Sequence, residues 1–109
     1  DPEVAQSIER DSLTNPIISA AAFLALVQAG KYALAHAAEL RLPLLLMHGG
    51  DDAVTDIRAS VAFFAAVGIA DKTFKRWDGM YHETLNEIGS EPVFQAIVDW
   101  LKPRLANSA

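Results

Sequence analysis

Three side chains of this sequence are suited to proton chemistry at one place: Asp51, Asp52 and His82. The two acids close the stretch "LPLLLMHGGDD", and the histidine closes "KTFKRWDGMYH". A carboxylate that holds an imidazole is half of a general-base system. The acid fixes the tautomer and stabilises the imidazolium, while the other ring nitrogen takes a proton. The acids and the histidine lie about thirty residues apart, so only the fold can bring them together.

The elements around them allow that meeting. "RLPLLLMHG" is a short apolar run bounded by Pro43 and Gly49, the pattern of a parallel strand covered on both faces. "KTFKRW" reads as a second, more polar strand of the kind found at a sheet edge. Between them "DIRASVAFFAAVGI" reads as a helix, with Thr55 as its cap and Asp56 at the positive end of its dipole. "NPIISAAAFLALVQAGKYALAHAAEL" opens on Asn15 and Pro16, an N-cap followed by an N1 proline. Its first half is apolar nearly all round and is expected to be a buried helix or one wall of a pocket. Ser90 is expected to cap a last helix, "EPVFQAIVDWLKPRL", and residues 1–14 read as a helical turn or loop.

Helix, strand, helix, strand, helix is an α/β pattern with a parallel crossover. Ligands of an open parallel sheet bind outside the carboxyl ends of its strands, and both candidate loops lie there. Two strands are too few for a complete parallel sheet, so the pattern looks like the end of a larger one. The chain opens on Asp1 rather than Met, and is expected to be processed or a piece of something longer.

Composition narrows the partners. The 109 residues carry a net charge of −5, and their nine Lys and Arg are scattered, which argues against nucleic acid, because phosphate binding needs clustered cations. There is no cysteine, so disulfides and thiolate metal sites are excluded. The longest apolar stretch, "AAAFLALV", falls far short of the roughly 20 residues of a membrane span, and no secretory signal is visible. A metal site from His48, Asp51, Asp52 and His82 matches no dedicated ligand motif, and no cofactor is called for. Asp52 read simply as a turn former and His82 as a surface histidine are the plain alternatives. His48 reads as a structural or hydrogen-bonding residue, and His36 as an exposed helix residue.

"LPLLLMHGGDDAVTD", followed after about two dozen residues by "WDGMYHETLNE", resembles the carboxyl-terminal part of the α/β-hydrolase fold. More narrowly it resembles the monoacylglycerol-lipase-like serine hydrolases. In that family the triad acid follows a strand as Gly, two residues, Asp, which selects Asp52 and leaves Asp51 as the variable position. The family's base follows a small residue, a variable one and an aromatic; Gly79, Met80, Tyr81 and His82 match. The resemblance implies that residues 1–40 are the end of the lid region with the helix leading back to the sheet. Residues 41–109 are then the carboxyl-terminal sheet-and-helix part of the core. Phe23, Leu24, Leu26 and Val27 suit the core, and in the resembling lipases this segment lines the acyl passage. Trp77 and Tyr81 are expected to pack around the histidine loop.

No Gly-x-Ser-x-Gly elbow is present, so the family's serine and oxyanion hole are expected in an amino-terminal part, as a separate chain or a preceding segment. That part is the expected protein partner, and a small ester or lipid the expected substrate, with any membrane contact through the lid region. Without the amino-terminal part the chain is expected to be inactive. Two other readings stand beside this one. The chain could be a non-catalytic module pairing through an exposed sheet edge. Or the same fold could serve dehalogenase, epoxide hydrolase or peroxidase chemistry, since fold does not fix function.

Overall fold

The computed structural model describes residues 2–15 and 17–106. In chain order they form α1 (Pro2–Arg10), α2 (Ala20–Ala35), a short 3-10 turn (Ala37–Glu39), β1 (Leu44–Gly49), α3 (Ile57–Ala66), β2 (Lys72–Trp77) and α4 (Glu91–Ala106). The strands pair in parallel, from Leu44 opposite Lys72 to Gly49 opposite Trp77. Both therefore end at one rim. The α/β architecture expected from the sequence is present.

The crossover is pinned at the end away from that rim. Lys72 Nζ donates to the carbonyls of Phe64, at 2.7 Å, and Val67, and lies 4.7 Å from the centre of the Phe64 ring. A cation there satisfies carbonyls that the end of α3 leaves unpaired and complements its dipole. Arg104 of α4 grips Asp71 through Nε and a second guanidinium nitrogen, which ties the last helix to the start of β2.

Several expectations about local structure need correction. Residues 2–10 form a nine-residue helix, more than a turn. Ser19, not Asn15, caps α2, its hydroxyl accepting from the Ala22 amide. Asn15 instead accepts from the Ile17 amide in a local turn, and Pro16 lies outside the described residues. Asp56, not Thr55, caps α3, accepting from the Arg58 amide, because the Thr55 hydroxyl is recruited elsewhere.

The larger correction concerns burial. α2 has no buried residue; Phe23, Leu24 and Leu26 are each more than half exposed. Among the described residues it packs mainly against α3 and the 3-10 turn. Leu44–Met47 of β1 are half-buried rather than enclosed, because among the described residues the sheet has only two strands. Among the described residues the buried apolar side chains are Ala37, Val67 and Val93.

At the rim, the two loops are laced together. The Gly50 amide donates to the Trp77 carbonyl at 2.7 Å, and the Asp51 amide to the Met80 carbonyl at 2.9 Å. These bonds hold the two loops in register past the ends of the strands. Gly49 is required by this approach: a Cβ there would lie 1.8 Å from the Tyr81 carbonyl oxygen and 2.6 Å from that of Met80. Gly79 turns the second loop with φ +80°, a conformation that disfavours side chains.

Gly49→Ala should therefore cost about 2–3 kcal/mol by overpacking and drive the Tyr81–His82 backbone outward. Gly68→Ala, with nothing within 4 Å of the new Cβ, should stay within about 0.5 kcal/mol of the wild type. Denaturant unfolding of the two variants checks the contrast.

Candidate active site

The Asp52 carboxylate sits in the loop that follows β1, its side chain only 4% exposed. Leaving a carboxylate buried and alone costs several kcal/mol. Four hydrogen bonds meet that cost here, each contributing about 1.5–3 kcal/mol when the acceptor is charged. Oδ1 accepts from the amides of Val54 at 2.7 Å and Thr55 at 3.0 Å. Oδ2 accepts from the Thr55 hydroxyl at 2.6 Å and lies 2.9 Å from His82 Nδ1. Burial is the largest influence on this carboxyl and pushes its pKa up. The bonds from the Thr55 hydroxyl, His82 and the Thr55 and Val54 amides outweigh it, holding Asp52 well below the usual carboxylate range.

An ionised Asp52 has no proton to give, so the contact with His82 requires a hydrogen on Nδ1. That leaves Nε2 as the nitrogen free to act as a base. No described residue takes a hydrogen bond from it, and the side chain is 45% exposed. The arrangement can thus accept a proton at Nε2 and stabilise the resulting cation through Asp52.

The structure brings Asp52 and His82 together and leaves Asp51 out. Asp51 is exposed and engages the second loop through its backbone. His48 is buried and touches Asp52 Oδ2 at 3.3 Å, in keeping with a structural reading. His36 is half-buried at the end of α2, stacked on Tyr32 at 3.8 Å. Trp77 is half-buried beneath the Lys75 ammonium, whereas the Tyr81 side chain is 47% exposed and joins the site through its backbone. Among the described residues no group of three or more His, Asp or Glu is arranged to hold a metal ion.

Sequence reasoning missed two residues. Thr55, three positions after Asp52, supplies both an amide and a hydroxyl to it. The spacing in "DAVT" is that of a local Asx-type turn, so the signal was available. Glu87 is 7% exposed and accepts from the Tyr81 amide at 2.6 Å, fixing the backbone next to His82. Nothing local in the sequence marks it, because the contact depends on how the loop closes. Beside His82 lies a cleft of about 230 Å³, walled by Val4, Ala5 and Ile8 of α1 with Val54, Tyr81, Glu83 and Glu87.

The low pKa of Asp52 has a consequence for stability. A group whose pKa is depressed on folding stabilises the native state above its unfolded pKa and ceases to do so as pH falls through the folded value. The stability difference between wild type and Asp52→Asn should be full above the ordinary value of 3.8 and shrink steadily below it. Urea unfolding from pH 7 down to pH 2 measures this.

Comparison with known proteins places the site in context. The chain is 34% identical, over 99% of its length, to an uncharacterized abhydrolase domain-containing protein of Dictyostelium discoideum, of which it covers 12%. It is 29% identical over 96% of its length to the monoacylglycerol lipase of Mycolicibacterium smegmatis, covering 38% of that protein. The crystal structure of Paleococcus ferrophilus monoacylglycerol lipase superposes with a TM-score of 0.87 at 27% identity, over 93% of this chain and 40% of that one. The chain thus spans well under half the length of each. The family model for serine aminopeptidase, S33, matches residues 1–89, and the chain belongs to that family of α/β-hydrolases.

Proposed function

We propose that this chain supplies the acid and the base of a serine ester hydrolase whose nucleophile and oxyanion hole come from an amino-terminal part. The observation that carries the proposal is the 2.9 Å contact between buried Asp52 and His82 Nδ1, which leaves Nε2 free at the rim. In the reaction, His82 Nε2 takes the proton of a serine hydroxyl as the serine oxygen bonds to the ester carbonyl carbon. The same proton passes to the departing alcohol as the acyl–oxygen bond breaks, and water then releases the acid by the same steps.

Substrates with an apolar acyl group fit best, monoacylglycerols among them. The cleft beside His82 has an apolar wall of Val4, Ala5 and Ile8, with Glu83 and Glu87 also lining it, and an apolar wall suits an apolar acyl group. The lipase names borne by relatives support the same choice. The open apolar faces of α2 and the unpaired edge of β1 are where the amino-terminal part would pack.

Hydrolysis of p-nitrophenyl esters of increasing acyl length, beside matched p-nitroanilides, tests the reading on the intact protein. Ester turnover should exceed anilide turnover and improve with acyl length. His82→Ala should lower kcat/KM at least about 10⁴-fold, and Asp52→Asn about 10⁴-fold by releasing the tautomer. Anilide preference would point to a peptidase. Turnover indifferent to His82 would favour the non-catalytic module.

A further inference from the structure

His82 is not the only imidazole on the Asp52 carboxylate. His48, in β1, is 9% exposed. Its Nε2 lies 3.3 Å from Asp52 Oδ2, the oxygen that also meets His82, and 3.4 Å from the Thr55 carbonyl oxygen. Its Nδ1 lies 2.9 Å from the Ser60 hydroxyl of α3. Both groups that face Nε2 are acceptors with nothing to donate, so Nε2 must carry a hydrogen. The neutral tautomer that satisfies this leaves Nδ1 bare, and the Ser60 hydroxyl donates to it. The ring is thereby held with its Nε2–H bonded to the Thr55 carbonyl and in contact with Asp52 Oδ2 at 3.3 Å.

Ser60, His48 and Asp52 have the residue types of a second triad, but nothing described beside Ser60 supports a second nucleophile. Ser60 stands inside α3, and the amides of Arg58 and Ala59 just before it are taken by Asp56. No pair of free amides is left there to hold an oxyanion. What the array can do is orient. The Thr55 hydroxyl that also binds Oδ2 can rotate about its own bond, whereas the His48 ring is held on a strand and backed by a helix.

We propose that His48, backed by Ser60, is a positioning residue that fixes Asp52 Oδ2 on the line to His82 Nδ1. It acts through Asp52 and never touches substrate. The proposal rests on the functional reading above, so its test carries one readout that needs no hydrolysis.

The test uses the intact protein with His48→Leu, which keeps bulk and removes the donor, and His48→Gln, which returns an N–H near the position of Nε2. Two quantities are read: kcat and KM on an ester, and the downfield Nδ1–H resonance of His82 in proton–nitrogen NMR. His48→Leu should lower kcat about 10- to 100-fold, the scale on which outer partners of an active group act, with KM within about twofold. The His82 resonance should shift or broaden, and His48→Gln should recover most of both. A leucine variant with wild-type kcat and an unchanged His82 resonance would overturn the proposal, whatever its melting temperature. Should His48→Leu not fold, Ser60→Ala decides by the same criteria, with a loss of kcat smaller than that of His48→Leu expected because the ring and its Nε2–H remain, and no change in either readout overturning the proposal. If the wild type hydrolyses nothing, the functional reading fails, and the NMR comparison still decides the role of His48.

Discussion

A carboxylate taken out of water has to be surrounded by donors, and most of this rim is arranged around that demand. Asp52 draws on two amides, a hydroxyl and an imidazole, and each of those groups is shaped by supplying it. Thr55 gives up helix capping to serve Asp52, so Asp56 caps α3 instead. Val54 and Thr55 wrap their amides around Oδ1, which sets the path of the chain from β1 into α3. The second loop must come close enough to present His82, and that closeness leaves no room for a side chain at Gly49.

Parallel pairing makes the meeting achievable. An antiparallel pair would place these two loops at opposite ends of the sheet; the parallel register puts Gly49 opposite Trp77, and the backbone bonds past the strands carry the alignment to Met80. Lys72 and Arg104 hold the opposite end of the unit. The apolar surface of α2 and the half-buried face of β1 belong to a different requirement. They are surfaces that the described residues of this chain, which spans 40% of the solved lipase it superposes on, leave uncovered.

How much of this was legible in the sequence follows from how local each signal is. Both strands were readable because apolar run, proline and glycine lie side by side in "LPLLLMHGG", and Lys72–Trp77 matched its expected span. The choice of Asp52 over Asp51 came from a family spacing; no periodicity distinguishes adjacent acids. Cap positions were misjudged because Asn15, Ser19, Thr55 and Asp56 are all competent caps, and tertiary hydrogen bonding decided among them. Burial of α2 was misjudged for a complementary reason: an all-round apolar helix states that something covers it, but not whether the cover lies within the same stretch of chain. Glu87 was invisible because its contact with the Tyr81 amide exists only once the loop has closed.

The central claim is that the Asp52–His82 pair serves a serine lying outside these 109 residues. Labelling the intact protein with a fluorophosphonate, followed by peptide mapping of the modified residue, tests it most directly. The account predicts a single label on a serine in an elbow outside this sequence, lost when His82 is replaced by alanine. A label on Ser60 or on any other serine within the sequence, or labelling that survives the loss of His82, would contradict it.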